Sequence, residues 1–329
     1  MPKQTKTSAP NDGTLPLVIV NPKSAAGATR DKWSQTASDL RAHFGPFSVA
    51  FTKSQGDGID IAMRAAKAGR KFIIACGGDG TINEVANGVL RSGEDVELGI
   101  LPSGTGGDFR RTLGIPLTSR EAAVSLRDGR TKLIDSGKVT CHDASGEMVS
   151  RYFLNVSSFG LAAAVLKRVK STNAFDWLPM TGVRGRANFA VSTLQEVFDL
   201  DPVNIRVRFD DGEEKTIQTI NFCVANSRYF GGGMMIAPHA KINDGFLDIV
   251  NIGDISTAKI LIKAYSLYRG THLDLNEVKS TLAKKIEVSA ADASTEILLE
   301  TDGELPGKLP ATYEIVQNAI RVRVPNHNF

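Results

Sequence analysis

The chain has 329 residues, 42% of them hydrophobic and 23% charged, with a formal net charge of +3. That length suits two domains, each with its own apolar core. The slight basicity is too weak to indicate a nucleic-acid partner, but it permits contact with an anionic membrane. Residues 1–14 are polar with no apolar core of a leader, and are expected to form a disordered tail. Residues 15–20 form a short apolar run that breaks at Asn21-Pro22, which predicts a buried strand and a loop. Trp33, Ala37, Leu40 and Phe44 recur at helical spacing, and 47–51 predicts a second strand. Ile59, Ala62, Met63 and Ala66 predict a helix ended by Gly69. A third strand at 71–76 runs into Gly77-Gly78-Asp79-Gly80, followed by a helix over 81–90. A fourth strand spans 96–101, and Thr118 with Glu121 makes a capping box that opens a helix to Leu126. Strands alternating with helices imply a parallel sheet covered on both faces.

The pattern changes near Lys132. Short β-like segments follow at 152–156, 203–209, 216–225, 246–252, 285–288, 295–299 and 320–324, with turn residues between them. Helices are predicted at 187–198 and 256–268. The expected organisation is an α/β nucleotide-binding domain at 15–131 and a β-rich sandwich at 132–329, whose last residues are free to pack back on the first domain. The three cysteines (Cys76, Cys141, Cys223) form no CxxC pair, which favours a reducing, cytoplasmic compartment. The five histidines are scattered without zinc-like spacing. No apolar run reaches the ~18–20 residues that span a bilayer.

The strongest chemical signal is the turn Cys76-Gly77-Gly78-Asp79-Gly80-Thr81. A strand ends, three glycines follow in four residues, and a helix begins. Glycines allow close backbone approach, and a helix N-terminus offers amides and partial positive charge to a phosphate. Asp79 inside such a loop would repel phosphate unless a cation lay between them, which points to Mg2+. A tight turn with Asp79 as a plain cap is the competing explanation. No GxxxxGK[ST] and no GxGxxG occurs here. A second glycine-rich loop, Gly104-Thr105-Gly106-Gly107-Asp108, follows the next strand and could grip the same polyphosphate.

With these loops in view, the sequence resembles the diacylglycerol kinase/sphingosine kinase family of lipid kinases, especially its soluble bacterial members. GGDGTINEV resembles that family's nucleotide motif, and 102–110 its P-x-GTxNDFA motif, with Gly107 replacing asparagine and Arg110 replacing alanine. Asn21-Pro22-Lys23-Ser24 resembles the opening NP-x-S-G motif, and Thr52 stands where the family has a threonine near ATP. The segment 237–248 resembles P-x-A-x-x-DG-x-L-D, and Asp302-Gly303-Glu304 resembles the catalytic DGE motif.

The resemblance implies ATP as phosphate donor, with Mg2+ and a lipid acceptor met at a membrane surface. It implies an ATP cradle from Asn21, Pro22, Lys23, Ser24, Thr52, Gly77, Gly78, Asp79, Gly80, Thr81, Asn83, Glu84, Gly104 and Thr105. Catalytic roles fall on Glu304 as base, on Asp302 as its orienting partner, on Asp79 and Asp108 toward magnesium, and on Asp135 at the domain junction. A structural magnesium would be held by Asp244 and the carbonyls of Lys241 and Phe246, although a plain Asp-Gly turn explains the same residues. Residues 171–185 combine aromatic, apolar and basic side chains that suit peripheral membrane contact, or equally a cover on the second core. Diacylglycerol is the expected acceptor, with ceramide or a sphingoid base as alternatives. An NAD kinase and a non-enzymatic lipid- or nucleotide-binding module are the readings from other classes. A homodimer is left open.

Overall fold

The computed structural model describes residues 15–103, 107–171 and 201–326. The tail 1–14, loop residues Gly104 and Thr105 and the helix expected at 187–198 lie outside these, and of segment 171–185 only the end of one helix lies within them. The first domain opens with β1 (Leu17–Val20), followed by α1 (Ala28–His43), β2 (Ser48–Phe51), α2 (Asp57–Lys67) and β3 (Phe72–Gly77). Next come α3 (Asp79–Ser92), β4 (Glu97–Pro102), α4 (Asp108–Leu113) and α5 (Ser119–Asp128). Strands β2-β1-β3-β4 lie parallel in that order. The unbroken apolar runs of β1, β3 and β4 reflect burial on both faces: Val18, Ile19, Ile73, Ile74 and Leu98 are all fully buried, while the edge strand β2 leaves Val49 and Phe51 exposed. The predicted capping box forms, with Thr118 Oγ1 accepting from the Glu121 N–H and donating to its carboxylate.

Helices α2 and α3 lie in close contact, and Gly88 makes this feasible. A Cβ there would sit 2.3 Å from the Ile59 carbonyl oxygen and 2.7 Å from Ala62 Cβ. This approach fixes the N-terminus of α2 beside the glycine turn that opens α3.

The second domain holds β5 (Arg130–His142), β6 (Met148–Phe153), β7 (Val156–Gly160) and α6 (Leu161–Ser171). After these come β8 (Val203–Phe209), β9 (Lys215–Thr219), β10 (Asn221–Ala225) and β11 (Leu247–Ile252). Helix α7 (Thr257–Arg269), β12 (Val278–Ala283), β13 (Lys285–Ala290), β14 (Leu298–Thr301) and β15 (Glu304–Val324) complete it. Phe153, Phe159, Phe222 and Tyr313 fill its core, with Phe159 and Phe222 stacked at 5.1 Å. The fold is the expected α/β class: a parallel sheet followed by a β-rich sandwich.

Strand β15 runs through both domains. It pairs antiparallel with β14, β13 and β5, and its end pairs parallel with β4 through Arg321↔Glu97 and Val322↔Leu98. The segment expected as one strand at 216–225 is two. The chain breaks at Ile220, where its N–H donates to Ile252 and its carbonyl accepts from Leu161. As a result β9 pairs with β8, while β10 lies between β7 and β11. Among the described residues no helix is long and apolar enough to cross a membrane.

Candidate active site

Three loops at the C-terminal ends of the parallel strands enclose a cavity of about 430 Å³. That is a size suited to a small-molecule ligand, at the sheet edge where α/β folds bind them. Its lining includes Asn21, Lys23, Ser24, Thr52, Gly78, Gly80, Thr81 and Glu84 from the predicted cradle. Lys53, Ser54 and Gln55 add a wall that the sequence did not single out. Gly77 is forced by packing, because a Cβ there would lie 2.5 Å from Thr81 Oγ1. Gly80 has nothing within 4 Å and leaves the cavity side open. No side chain caps the start of α3, so its first amides are available to an anion.

Thr81 knits two of the loops together. Its Oγ1 accepts from Asn21 Nδ2 at 3.1 Å and lies 3.3 Å from Ser24 Oγ. Lys23 Nζ donates to the Lys53 carbonyl at 3.1 Å, which keeps a cation at the rim. Behind the cavity, Thr29 Oγ1 meets Ser103 Oγ at 2.6 Å and ties α1 to the second loop. Pro22 forms part of the same turn without lining the cavity, and Gly77 and Asn83 stand behind it.

The acidic residues divide by what they hold. Asp79 accepts from the backbone N–H groups of Asp108 (3.0 Å) and Phe109 (3.1 Å), so it caps α4 and joins the two glycine-rich loops. Asp108 is 6% exposed; it accepts from Arg111 Nη1 and from the Gly232 N–H, both at 2.8 Å. Burial pushes the Asp108 carboxyl above its ordinary pKa, and the neighbouring Asp79 charge adds to that. All four oxygens of these two acids already accept a hydrogen bond, and Arg111 pairs with the Asp108 charge. A divalent cation would therefore meet them only through their remaining lone pairs or through water, and the described residues hold no preset cluster of three metal ligands. Glu84 accepts from the N–H groups of Gly56 (2.8 Å) and Gly58 (3.0 Å), capping α2. Burial and the charges of Glu304 and Asp57 raise its pKa, against those two hydrogen bonds.

The acidic turn from the far end of the chain comes to the edge of this cavity, touching its wall at Gln55 without lining it. Asp302 and Gly303 turn the chain at φ 46° and 86° between β14 and β15. The Asp302 carboxylate accepts from Asn83 Nδ2 at 2.7 Å, and from the N–H groups of Leu154 (2.8 Å), Asn155 (3.0 Å) and Val156 (3.0 Å). Burial lifts its pKa to about 6 despite those donors. Glu304 Oε1 accepts from Gln55 Nε2 at 2.9 Å, which sets its carboxylate beside the cavity wall. Glu300, which no motif flagged, accepts from the Gly303 N–H and from Ser158 Oγ, and so braces the turn.

Asp135 does not join this group. It is buried, with its two oxygens accepting from the N–H groups of Gly245 (2.8 Å) and Asn318 (2.7 Å), and its own N–H donates to Ile242. It clasps the loop at 241–246, which lies off the cavity. In that loop Asp244 Oδ1 accepts from the Phe246 N–H at 3.2 Å, and Lys241 and Asp244 are exposed. Burial and the Asp244 charge raise Asp248 to about 6, so two acids stand close there as well.

Two family models match this chain in tandem. The diacylglycerol kinase catalytic domain covers residues 16–139, and the YegS C-terminal NAD kinase β-sandwich-like domain covers 155–324. A diacylglycerol kinase of Mycobacterium tuberculosis (strain ATCC 25618 / H37Rv) is 30% identical over 272 residues, which is 82% of each chain. One from Bacillus subtilis (strain 168) is 27% identical over 94% of this chain and 95% of its own. A Bacillus anthracis str. Sterne crystal structure, provisionally assigned as a diacylglycerol kinase, superposes with TM-score 0.74 at 25% identity. That superposition covers 98% of this chain and 99% of the other. With matches running through both domains, the chain belongs to the diacylglycerol kinase family and is a lipid kinase.

Proposed function

We propose that the enzyme transfers the γ-phosphate of ATP to the free hydroxyl of diacylglycerol, giving phosphatidic acid, at the cytoplasmic face of a membrane. The single observation that carries this reading is the meeting of the 302–304 turn with the glycine-loop cavity, through Asp302 to Asn83 at 2.7 Å and Glu304 to Gln55 at 2.9 Å. The two names borne by relatives over more than four-fifths of the chain support the acceptor.

In this reading the first amides of α3 and the Lys23 ammonium hold the phosphates, with Ser24 and Thr81 shaping the loop around them. Asp79 and Asp108 would meet Mg2+ through their remaining lone pairs or through water, and the ion neutralises phosphate charge in such transfers. Glu304 accepts the proton of the acceptor hydroxyl as that oxygen attacks, provided the hydroxyl docks within hydrogen-bond reach. Asp302 is a positioning residue: it fixes the turn that presents Glu304. Asp135 braces the 241–246 loop, and a cation shared by Asp244 and the Lys241 and Phe246 carbonyls would stiffen that loop.

The experiment is incubation with γ-labelled ATP and a panel of diacylglycerol, ceramide, a sphingoid base and NAD, with separation of the labelled products. Label in phosphatidic acid is expected. Label in NADP alone, or in none of the four, would overturn the reading.

A further inference from the structure

Helix α7 carries four exposed large apolar side chains on one face. Ile262 is 75% exposed, Tyr265 69%, Tyr268 51% and Leu261 44%. The spacing i, i+1, i+4, i+7 aligns all four along a single stripe. Apolar residues scattered singly over a surface need no explanation, but four joined along one helix do. The same helix holds Lys259, Lys263 and Arg269 and no acidic residue. Lys259 is engaged by Glu277 at 2.7 Å, which leaves Lys263 and Arg269 as exposed basic flanks.

We infer that this face of α7 is the surface by which the enzyme rests on an anionic bilayer, with Leu261, Ile262, Tyr265 and Tyr268 entering the interface. The inference rests on the lipid-acceptor reading above. A basic helix with an aliphatic and tyrosine stripe lies in the plane of a membrane, its rings at headgroup level and its long cationic chains reaching phosphates. A second copy of the chain is a poorer occupant. A twofold contact would set this wholly basic helix against itself, whereas anionic headgroups complement it. The inner side of the helix is held by a few contacts, with none of its residues fully buried. The Leu267 carbonyl accepts from the Met235 N–H at 2.8 Å, and Leu267 packs with Val156, Cys223 and Ile236. Met234, next in the chain, bridges to Phe230, and Gly232 between them donates to Asp108. One short loop therefore joins the docking helix to the acid pair at the phosphate end of the site.

The test uses the full chain and its double variant Ile262→Glu/Tyr265→Glu, with Lys263→Glu as a second variant. All three side chains are exposed, so an unchanged thermal midpoint is expected. Sedimentation with phosphatidylcholine/phosphatidylglycerol vesicles reads the surface without catalysis. The double variant is expected to lose about tenfold in partitioning. Lys263→Glu is expected to lose less, and only on anionic vesicles. Phosphorylation of vesicle-borne diacylglycerol falls with partitioning, while that of a dispersed short-chain diacylglycerol is unchanged. Wild-type sedimentation of the double variant would overturn the inference. So would an intact vesicle interaction accompanied by conversion of a wild-type dimer to a monomer. A wild-type enzyme that binds vesicles through α7 but phosphorylates no lipid would uphold the surface and sink the acceptor reading.

Discussion

At the scale of single residues, the acids are sorted by their partners. Asp302 is surrounded by four donors and still titrates near 6, because burial outweighs them. Its carboxyl is protonated more readily in the folded chain than the ordinary value of 3.8 allows. Asp302 therefore favours folding most at pH below about 4, and that contribution is lost as pH rises through about 6. Thermal midpoints measured from pH 4 to 7 should fall less steeply in Asp302→Asn than in the wild type, the rest of the slope belonging to Asp248 and the other raised acids; parallel curves would contradict it. Asp302 and Glu304 were legible as a motif. The three backbone amides that hold Asp302 were not, because nothing in the sequence couples 154–156 to 302. Gln55 was missed for a similar reason: a glutamine in a turn carries no chemical signal until the fold sets Glu304 against it.

At the scale of elements, the first domain was readable because β1, β3 and β4 are buried on both faces and α5 carries its own N-cap residue. The glycine turn, the Thr118 capping box and the run at 71–76 each announced their element in local chemistry. The second domain was harder. Strand β5 (13 residues) and strand β15 (21 residues) mix buried and exposed positions, since they change sheet partners along their length. Their periodicity therefore never settles. The break at Ile220 was hidden inside an apolar run that suits either one strand or two. Helix contact makes a sharper test. Gly88→Ala puts a methyl 2.3 Å from the Ile59 carbonyl, so α2 must move. Denaturant unfolding should report a loss of about 1–3 kcal/mol. ATP affinity should fall as well, because the N-terminus of α2 is held by Glu84 at the cavity wall. Full stability in this variant would mean that the two helices are not locked together.

At the scale of the whole molecule, one strand runs through both domains, and the Asn83–Asp302, Gln55–Glu304 and Asp108–Gly232 contacts bridge them. Strand β15 begins at the catalytic turn, crosses the sandwich and ends in the parallel sheet, so the two ends of the site share one backbone. Asp135 clasps the 241–246 loop to the β15 bend at Asn318. Asp135→Ala leaves the buried Gly245 N–H without an acceptor, at about 1–3 kcal/mol, and releases the exposed bend at Asn318. The thermal midpoint should drop, with turnover falling more than ATP affinity, because Asp135 touches neither end of the cavity. An unchanged midpoint would remove the clasp from the account. The central claim is that Glu304 takes the acceptor's proton inside a site whose nucleotide cradle is complete without it. Glu304→Gln tests this most directly, by ATP binding and phosphoryl transfer measured on the same preparation. The account predicts ATP affinity within about threefold of wild type and transfer slower by about 10²–10⁴-fold; transfer at a near-normal rate would contradict it.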